Sequence, residues 1–318
     1  MINGIPGNCQ RLAAIGLGAV VLAACGGPVA EPGTPASPSA VAPFDVAMVG
    51  PINNTDPQCQ NQGCLVVGTP QRLSLIVADT SDGSHNALAD AMVSVQVLDH
   101  NPGGGDKPLG PVQVATYHGA GLQDEGINRG VYTASVSFSK PGSYLISARV
   151  RRGAKDATIQ TPLAVAANDP GIAVGSAAPH VKNLLTGDVK DISTIDTAVH
   201  PDDMHYITVA DAIAARHPTV VYLGTPGFCQ SKTCAPEVKA VTALEPTYRP
   251  KGVDFVHIET YKGGRPDAKQ TLNPEFSAWK VLSEPWVFLI DRDGNVAARF
   301  SGATASDEIQ AALDKLLV

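Results

Sequence analysis

The period of the hydrophobic positions changes near residue 170. Upstream, apolar and polar positions alternate. Leu73, Leu75 and Val77 alternate with Arg72, Ser74 and Ile76, and Val93, Val95 and Val97 with Ser94 and Gln96. Tyr132, Ala134, Val136 and Phe138 repeat the pattern, as do Tyr144, Ile146, Ala148 and Val150. Successive Cβ atoms of a strand point to opposite faces, so a period of two with one polar face predicts half-buried antiparallel strands. Asp82-Gly83, the run from Asn101 to Gly105, Asn128-Arg129-Gly130 and Lys140-Pro141-Gly142 supply turns. About seven short strands at this spacing predict an all-β sandwich over 44–166, followed by a linker at 167–171.

Over 172–318 short apolar runs alternate with helical stripes, which predicts an α/β domain on a parallel or mixed sheet. Helices are expected over Thr208–Arg216 and Glu237–Leu244, the second with Val238, Val241 and Leu244 on one stripe. Strands are expected at Thr219–Leu223, Val253–Ile258 and Trp286–Ile290, the last turning through Asp291–Asn295 into Val296–Phe300. A final helix with Ser306 as N-cap would bury Ile309, Leu313 and Leu316.

The first residues read differently. Arg11 is the only charged side chain before an apolar or small run from Leu12 to Ala24, which ends in Leu22-Ala23-Ala24-Cys25. A run of about thirteen residues suits a secretory signal, against roughly twenty for a permanent span. Leu-Ala-Ala-Cys resembles the lipobox of bacterial lipoproteins. That resemblance implies cleavage after a 1–24 signal, a lipid on Cys25 and a partner membrane on whose extracytoplasmic face the chain sits. Residues 25–43, with prolines at 28, 32, 35, 38 and 43, read as an extended tether.

The net charge of −7 and the absence of a basic run argue against nucleic acid as a partner. Of the 6 cysteines, Cys9 leaves with the signal and Cys25 takes the lipid. The other four form two local pairs, Cys59/Cys64 and Cys229/Cys234. Four cysteines allow three pairings, of which the local one is simplest, and an oxidising exported compartment favours disulfides. Cys59/Cys64, just ahead of Leu65-Val66-Val67, reads as a structural staple. Asp79, Asp82 and Asp90 do not match a calcium loop, and His85, His100 and His118 share no spacing. No zinc motif is present and no cofactor is expected.

Three segments resemble the thioredoxin superfamily, and within it the membrane-anchored thiol–disulfide oxidoreductases of the TlpA/ResA kind. Val174-Gly175-Ser176-Ala177-Ala178-Pro179 is similar to their Gly-x-x-Ala-Pro opening. Phe228-Cys229-Gln230-Ser231-Lys232-Thr233-Cys234 stands where they carry their active cysteines. Ser283-Glu284-Pro285-Trp286, followed by Phe288-Leu289-Ile290-Asp291, matches their cis-proline and strand. The resemblance implies a redox pair, Cys229 and Cys234, beside a cis Pro285, acting on protein thiols or disulfides, with Cys229 attacking and Cys234 resolving.

The spacing departs from that family's C-x-x-C. Residues five apart on a helix lie about 7.5 Å along its axis and face different ways, whereas a disulfide needs Cα atoms within about 7 Å. Proline at 236 is comfortable only in a first turn. Thr233 is therefore expected as N-cap, with Cys234 in the first turn and Cys229 in the loop before it. Two alternatives stay open. One is a redox-inert thioredoxin-like binding or scaffold lipoprotein whose pairs are staples. The other is copper handling, because Cys234-Ala235-Pro236-Glu237 resembles the helix start of SCO-type chaperones; no His stands near Leu282–Pro285, and His257 reads as structural. The upstream run from Gly130 to Tyr144 resembles bacterial immunoglobulin-like modules, which implies a spacer or partner-binding role.

Overall fold

The computed structural model describes residues 46–49, 65–68, 70–81, 86–101, 103–124, 127–169, 171–229, 232–281 and 283–318. The signal, Cys25, the tether, Cys59, Cys64, Asp82-Gly83 and His85 lie outside the described residues.

The upstream part is mostly strand: β1 (Val46–Val49), β2 (Leu65–Val66), β3 (Gln71–Asp79), β4 (Met92–Asp99), β5 (Lys107–His118), β6 (Gln123–Asp124), β7 (Ile127–Asn128), β8 (Val131–Val136), β9 (Gly142–Arg152) and β10 (Lys155–Ala166). All but β6 and β7 join one 8-stranded sheet in the order β1-β3-β8-β5-β4-β9-β10-β2. Strand β5 makes the sheet continuous, pairing with β4 from Lys107 to Ala115 and with β8 from Thr116 to His118. The sheet curls far enough for β1 to lie against β10. Leu73, Leu75, Val95, Val97, Tyr132, Ile146, Ala148 and Leu163 form a single core inside it.

Strand β3 corrects the expectation of one polar face, for Leu73 to Asp79 are buried throughout. Leu73, Leu75 and Val77 enter the core of the sheet. Ile76, on the opposite face, joins a second cluster with Leu122, Val131, Ala240, Ala303 and Ala305. The face expected to meet water meets the downstream part of the chain instead.

That part contains α1 (Val209–Ala214), β11 (Thr219–Leu223), α2 (Cys234–Thr242), α3 (Glu245–Tyr248), β12 (Asp254–Ile258), α4 (Pro274–Ser277), β13 (Trp286–Ile290), β14 (Val296–Ser301) and α5 (Ser306–Leu316). Its sheet has the order β12-β11-β13-β14, with β11 parallel to β12 and antiparallel to β13. Val220, Tyr222, Phe255, Val287 and Leu289 face α2 and α5. Val221, Leu223, Val256, Phe288 and Ile290 face α1 and α4. Burial on both faces explains why these strands read as largely apolar runs, interrupted in β12 by His257. Ala177 bridges to Asn295, so the Gly175–Pro179 segment rests on the hairpin between β13 and β14.

One helix boundary is corrected. Ala305, not Ser306, is the N-cap of α5. Ser306 lies in the first turn and donates its N–H to the Ala120 carbonyl of the upstream part at 2.9 Å. The Glu308 carboxylate reaches back to the Ala305 N–H at 3.4 Å.

Candidate functional site

The site is assembled where β11 ends and α2 begins. Thr233 is the N-cap of α2, Cys234 occupies its first turn, and Pro236 follows where no N–H is needed. Cys229 lies in the preceding loop, and its sulfur is bonded to that of Cys234 with the Cα atoms 6.0 Å apart. The loop is tightened by the Lys232 N–H, which donates to the Cys229 carbonyl at 3.2 Å, with Lys232 at φ +56°. Gly227 is required by close approach, since a Cβ there would meet the Thr197 carbonyl oxygen at 2.6 Å. The Tyr222 hydroxyl donates to the Cys234 carbonyl at 2.9 Å, tying the start of α2 to the central strand.

The two sulfurs differ in surroundings. Cys234 is fully buried, whereas Cys229 is only partly covered. Thiolate at a helix N-terminus is favoured by the unpaired N–H groups there. A carboxylate oxygen of Glu284 and both sulfurs lie within 4.8 Å of one another. Glu284 accepts from the Thr225 N–H at 2.6 Å and from the Thr260 hydroxyl. Burial nonetheless pushes its carboxyl above the usual range, against the effect of the Thr260 and Thr225 bonds. The Glu284–Pro285 peptide is cis, and Pro285 is buried. Trp286 belongs to the core, 5.7 Å from the Phe288 ring in a stacked pair.

Residues 207–317 match the sequence model of a family described as a thioredoxin-like domain. Residues 207–317, at the C-terminal end of the chain, are a thioredoxin-like domain. A solved structure described as a thiol:disulfide interchange protein, a thioredoxin family protein from Chlorobium tepidum TLS, is similar over 45% of this chain and 97% of that one, with 16% identity and a TM-score of 0.32. Comparison with curated proteins gave no match.

A cavity of about 1090 Å³ opens beside the cysteine loop of the thioredoxin-like domain, lined by Pro226, Gly227, Ala235, Val238 and Thr242, with Arg249 farther out. Behind the loop lies a buried charged network. The His257 ring sits between an Asp202 oxygen at 2.9 Å and the Gly224 carbonyl at 3.0 Å. Burial alone would lower its pKa, but Asp202, Glu259 and Asp196 outweigh burial and hold it up at about 10. Burial likewise opposes ionisation of Asp202, yet His257 and His205 keep it below the usual carboxylate range.

The structure thus joins Cys229 to Cys234 and sets beside them the carboxylate of Glu284, the residue before the cis Pro285. Sequence reasoning missed Glu284, although its position before Pro285 was the available signal. It also missed Asp196, Asp202 and His205, whose spacing in the chain carries no motif.

Proposed function

We propose that this chain is a thiol–disulfide oxidoreductase of the TlpA/ResA kind, acting on protein disulfides at the extracytoplasmic face of a membrane to which a lipid on Cys25 holds it. The observation that carries the reading is the asymmetric pair: a Cys229 less deeply covered than the fully buried Cys234 to which it is bonded at a helix start, with the Glu284 carboxylate beside both sulfurs.

In the reducing direction the Cys229 thiolate attacks one sulfur of a substrate disulfide. A Cys229–substrate bond forms, and the other substrate sulfur leaves as thiolate. Cys234 then gives its proton to Glu284 and attacks Cys229, releasing the second substrate thiolate and closing the internal disulfide. Two electrons pass to the substrate, and a dithiol reductant must restore the pair. The reverse sequence oxidises a substrate dithiol. The cavity beside Pro226 and Ala235 would take the substrate chain. Residues 44–166 would serve as an immunoglobulin-like spacer or partner-binding module, reached through the 25–43 tether.

The test offers a mixed-disulfide substrate to Cys229→Ser and Cys234→Ser separately. Cys234→Ser is expected to trap the adduct on Cys229; trapping only in Cys229→Ser would reverse the roles. If neither variant traps and the wild-type pair resists a redox buffer until the chain unfolds, the pair is a staple and the domain an inert scaffold. Mass spectrometry of the mature N-terminus tests the anchor, which fails if Cys25 carries no acyl chain.

A further inference from the structure

Four side chains that the disulfide chemistry does not use converge behind the cysteine loop. Asp196, Asp202 and His205 come from the segment before α1, and His257 from β12. One donor atom from each lies within 4.8 Å of the other three. His205 is 1% exposed, and neither of its ring nitrogens has a hydrogen-bond partner. Its Nε2 stands 3.5 Å from an oxygen of Asp196 and 3.5 Å from one of Asp202, too far to bond either well.

Those separations have a simple meaning. A tetrahedral ion with bonds of about 2.1 Å to nitrogen and oxygen holds its ligand atoms about 3.4 Å apart. The carboxylates are already oriented for such a role. Asp196 accepts from the Asp202 and Ala198 N–H groups at 2.7 and 2.9 Å, and Asp202 from the Met204 N–H at 2.9 Å. His257 can keep its Nε2–H on the Gly224 carbonyl while Nδ1 turns to the ion, the outer bond that usually fixes a ligating imidazole. A cavity of about 360 Å³ lined by His205, His257, Glu259, Asn183 and Asn273 gives a route in.

We propose that Asp196, Asp202, His205 and His257 bind one divalent transition-metal ion of the zinc class. Two imidazoles with two carboxylates suit such an ion, whereas magnesium and calcium prefer oxygen alone. The ion completes the unpartnered His205 and balances two buried carboxylates. Coordination through Nδ1 sends to solvent the proton that His257 shares with Asp202. Because His257 lies near the end of β12 and Gly224 directly follows the adjacent strand β11, the ion would brace the base of the loop that carries Cys229.

The experiment uses the full chain in detergent, its cysteine pair kept oxidised, stripped with a chelator and titrated with Co²⁺ and then Zn²⁺. One equivalent of Co²⁺ with the visible bands of four-coordinate geometry, displaced by Zn²⁺, is the expected result. A thermal midpoint that rises with Zn²⁺ accompanies it. His205→Ala and Asp196→Asn should each weaken binding about a hundredfold or more, and Cys229→Ser/Cys234→Ser should not change it. Circular dichroism first confirms that the variants fold, and Asp196→Asn, which keeps the shape, decides the matter if His205→Ala does not fold. Three outcomes overturn the proposal: no one-equivalent binding by wild type, binding undiminished in the folded variants, or binding lost only with the cysteines.

Discussion

Replacing Arg72 by alanine is expected to cost the folded chain about 3 kcal/mol. Arg72 stands on β3, yet its guanidinium serves the thioredoxin-like domain. Its Nε and Nη2 donate to the two oxygens of Glu308 at 2.6 and 2.8 Å. Its Nη1 and Nη2 also donate to the carbonyls of Ser301 and Ala303 at 3.2 and 2.9 Å. The two side chains are 20% and 8% exposed, so the pair is neither a surface bridge nor fully buried. Deleting one partner of a buried pair costs about 3–5 kcal/mol, while an exposed pair is worth about 0–1 kcal/mol. The two carbonyl bonds add about 1 kcal/mol each, reduced where water replaces the guanidinium. Equilibrium urea unfolding of the full chain measures the loss, and a cycle with Glu308→Gln should give a coupling of about 1.5–2 kcal/mol. Arg72→Lys should recover less than half, because an ammonium cannot span both oxygens and both carbonyls. A loss under about 1 kcal/mol for Arg72→Ala would refute the reasoning, since water would then satisfy Glu308 as well as arginine does.

Three further perturbations test the same junction. Gly121 has φ +78°, and a Cβ there would come 2.8 Å from the Ala240 Cα; Gly121→Val should cost about 2–4 kcal/mol in thermal unfolding, and a melt matching wild type would show that α2 can shift away. Glu237 is fully buried and burial holds its carboxyl well above 4.5. The folded state therefore binds a proton that the unfolded state releases, so stability is full below about 4.5 and falls as pH rises; Glu237→Gln should flatten that fall in urea titrations across pH, and an unchanged slope would exclude Glu237 as its source. Fragment 172–318 should unfold cooperatively, because it keeps the two cores flanking its sheet, but below the midpoint of the full chain, because Ala240, Ala303 and Ala305 lose their cover; an equal midpoint would make the junction energetically empty.

What was legible follows from how local the signal was. Strands β11 and β13 could be read because a strand covered on both faces is apolar along nearly its whole length, and β12 because Phe255, Val256 and Ile258 keep most of that run. The start of α2 could be read because Thr233, Cys234 and Pro236 each restrict the backbone within one turn. Strand β3 could not, since what buries Ile76 is made by Ala240, Ala303 and Ala305, remote in sequence. Glu284 was visible as a residue but not as a neighbour of sulfur, because Thr225 and Thr260 on two other segments hold it there. The Asp196–His257 cluster has the same character, being drawn from a loop and a strand that meet only in the folded chain.

The way α2 is held bears on which sulfur moves. Val238 and Val241 pack it onto the sheet, while Ala240 sits in the cluster with Ile76 and Leu122. The Tyr222 hydroxyl fixes the Cys234 carbonyl from below. A helix gripped on two faces and at its first turn has little freedom to carry its sulfur outward. Cys229 is attached to a different support: a loop held through the Gly227 N–H to the Thr197 hydroxyl at 3.0 Å and through the Lys232 turn. If the pair opens, the cheaper motion is therefore that loop's, and it carries Cys229 toward solvent while Cys234 stays against Glu284. Helix position alone would favour Cys234 as the more stable thiolate, but stability of the thiolate lowers its intrinsic nucleophilicity. Under the proposed oxidoreductase chemistry, access and support both favour attack by Cys229, with Cys234 as the fixed sulfur that closes the cycle.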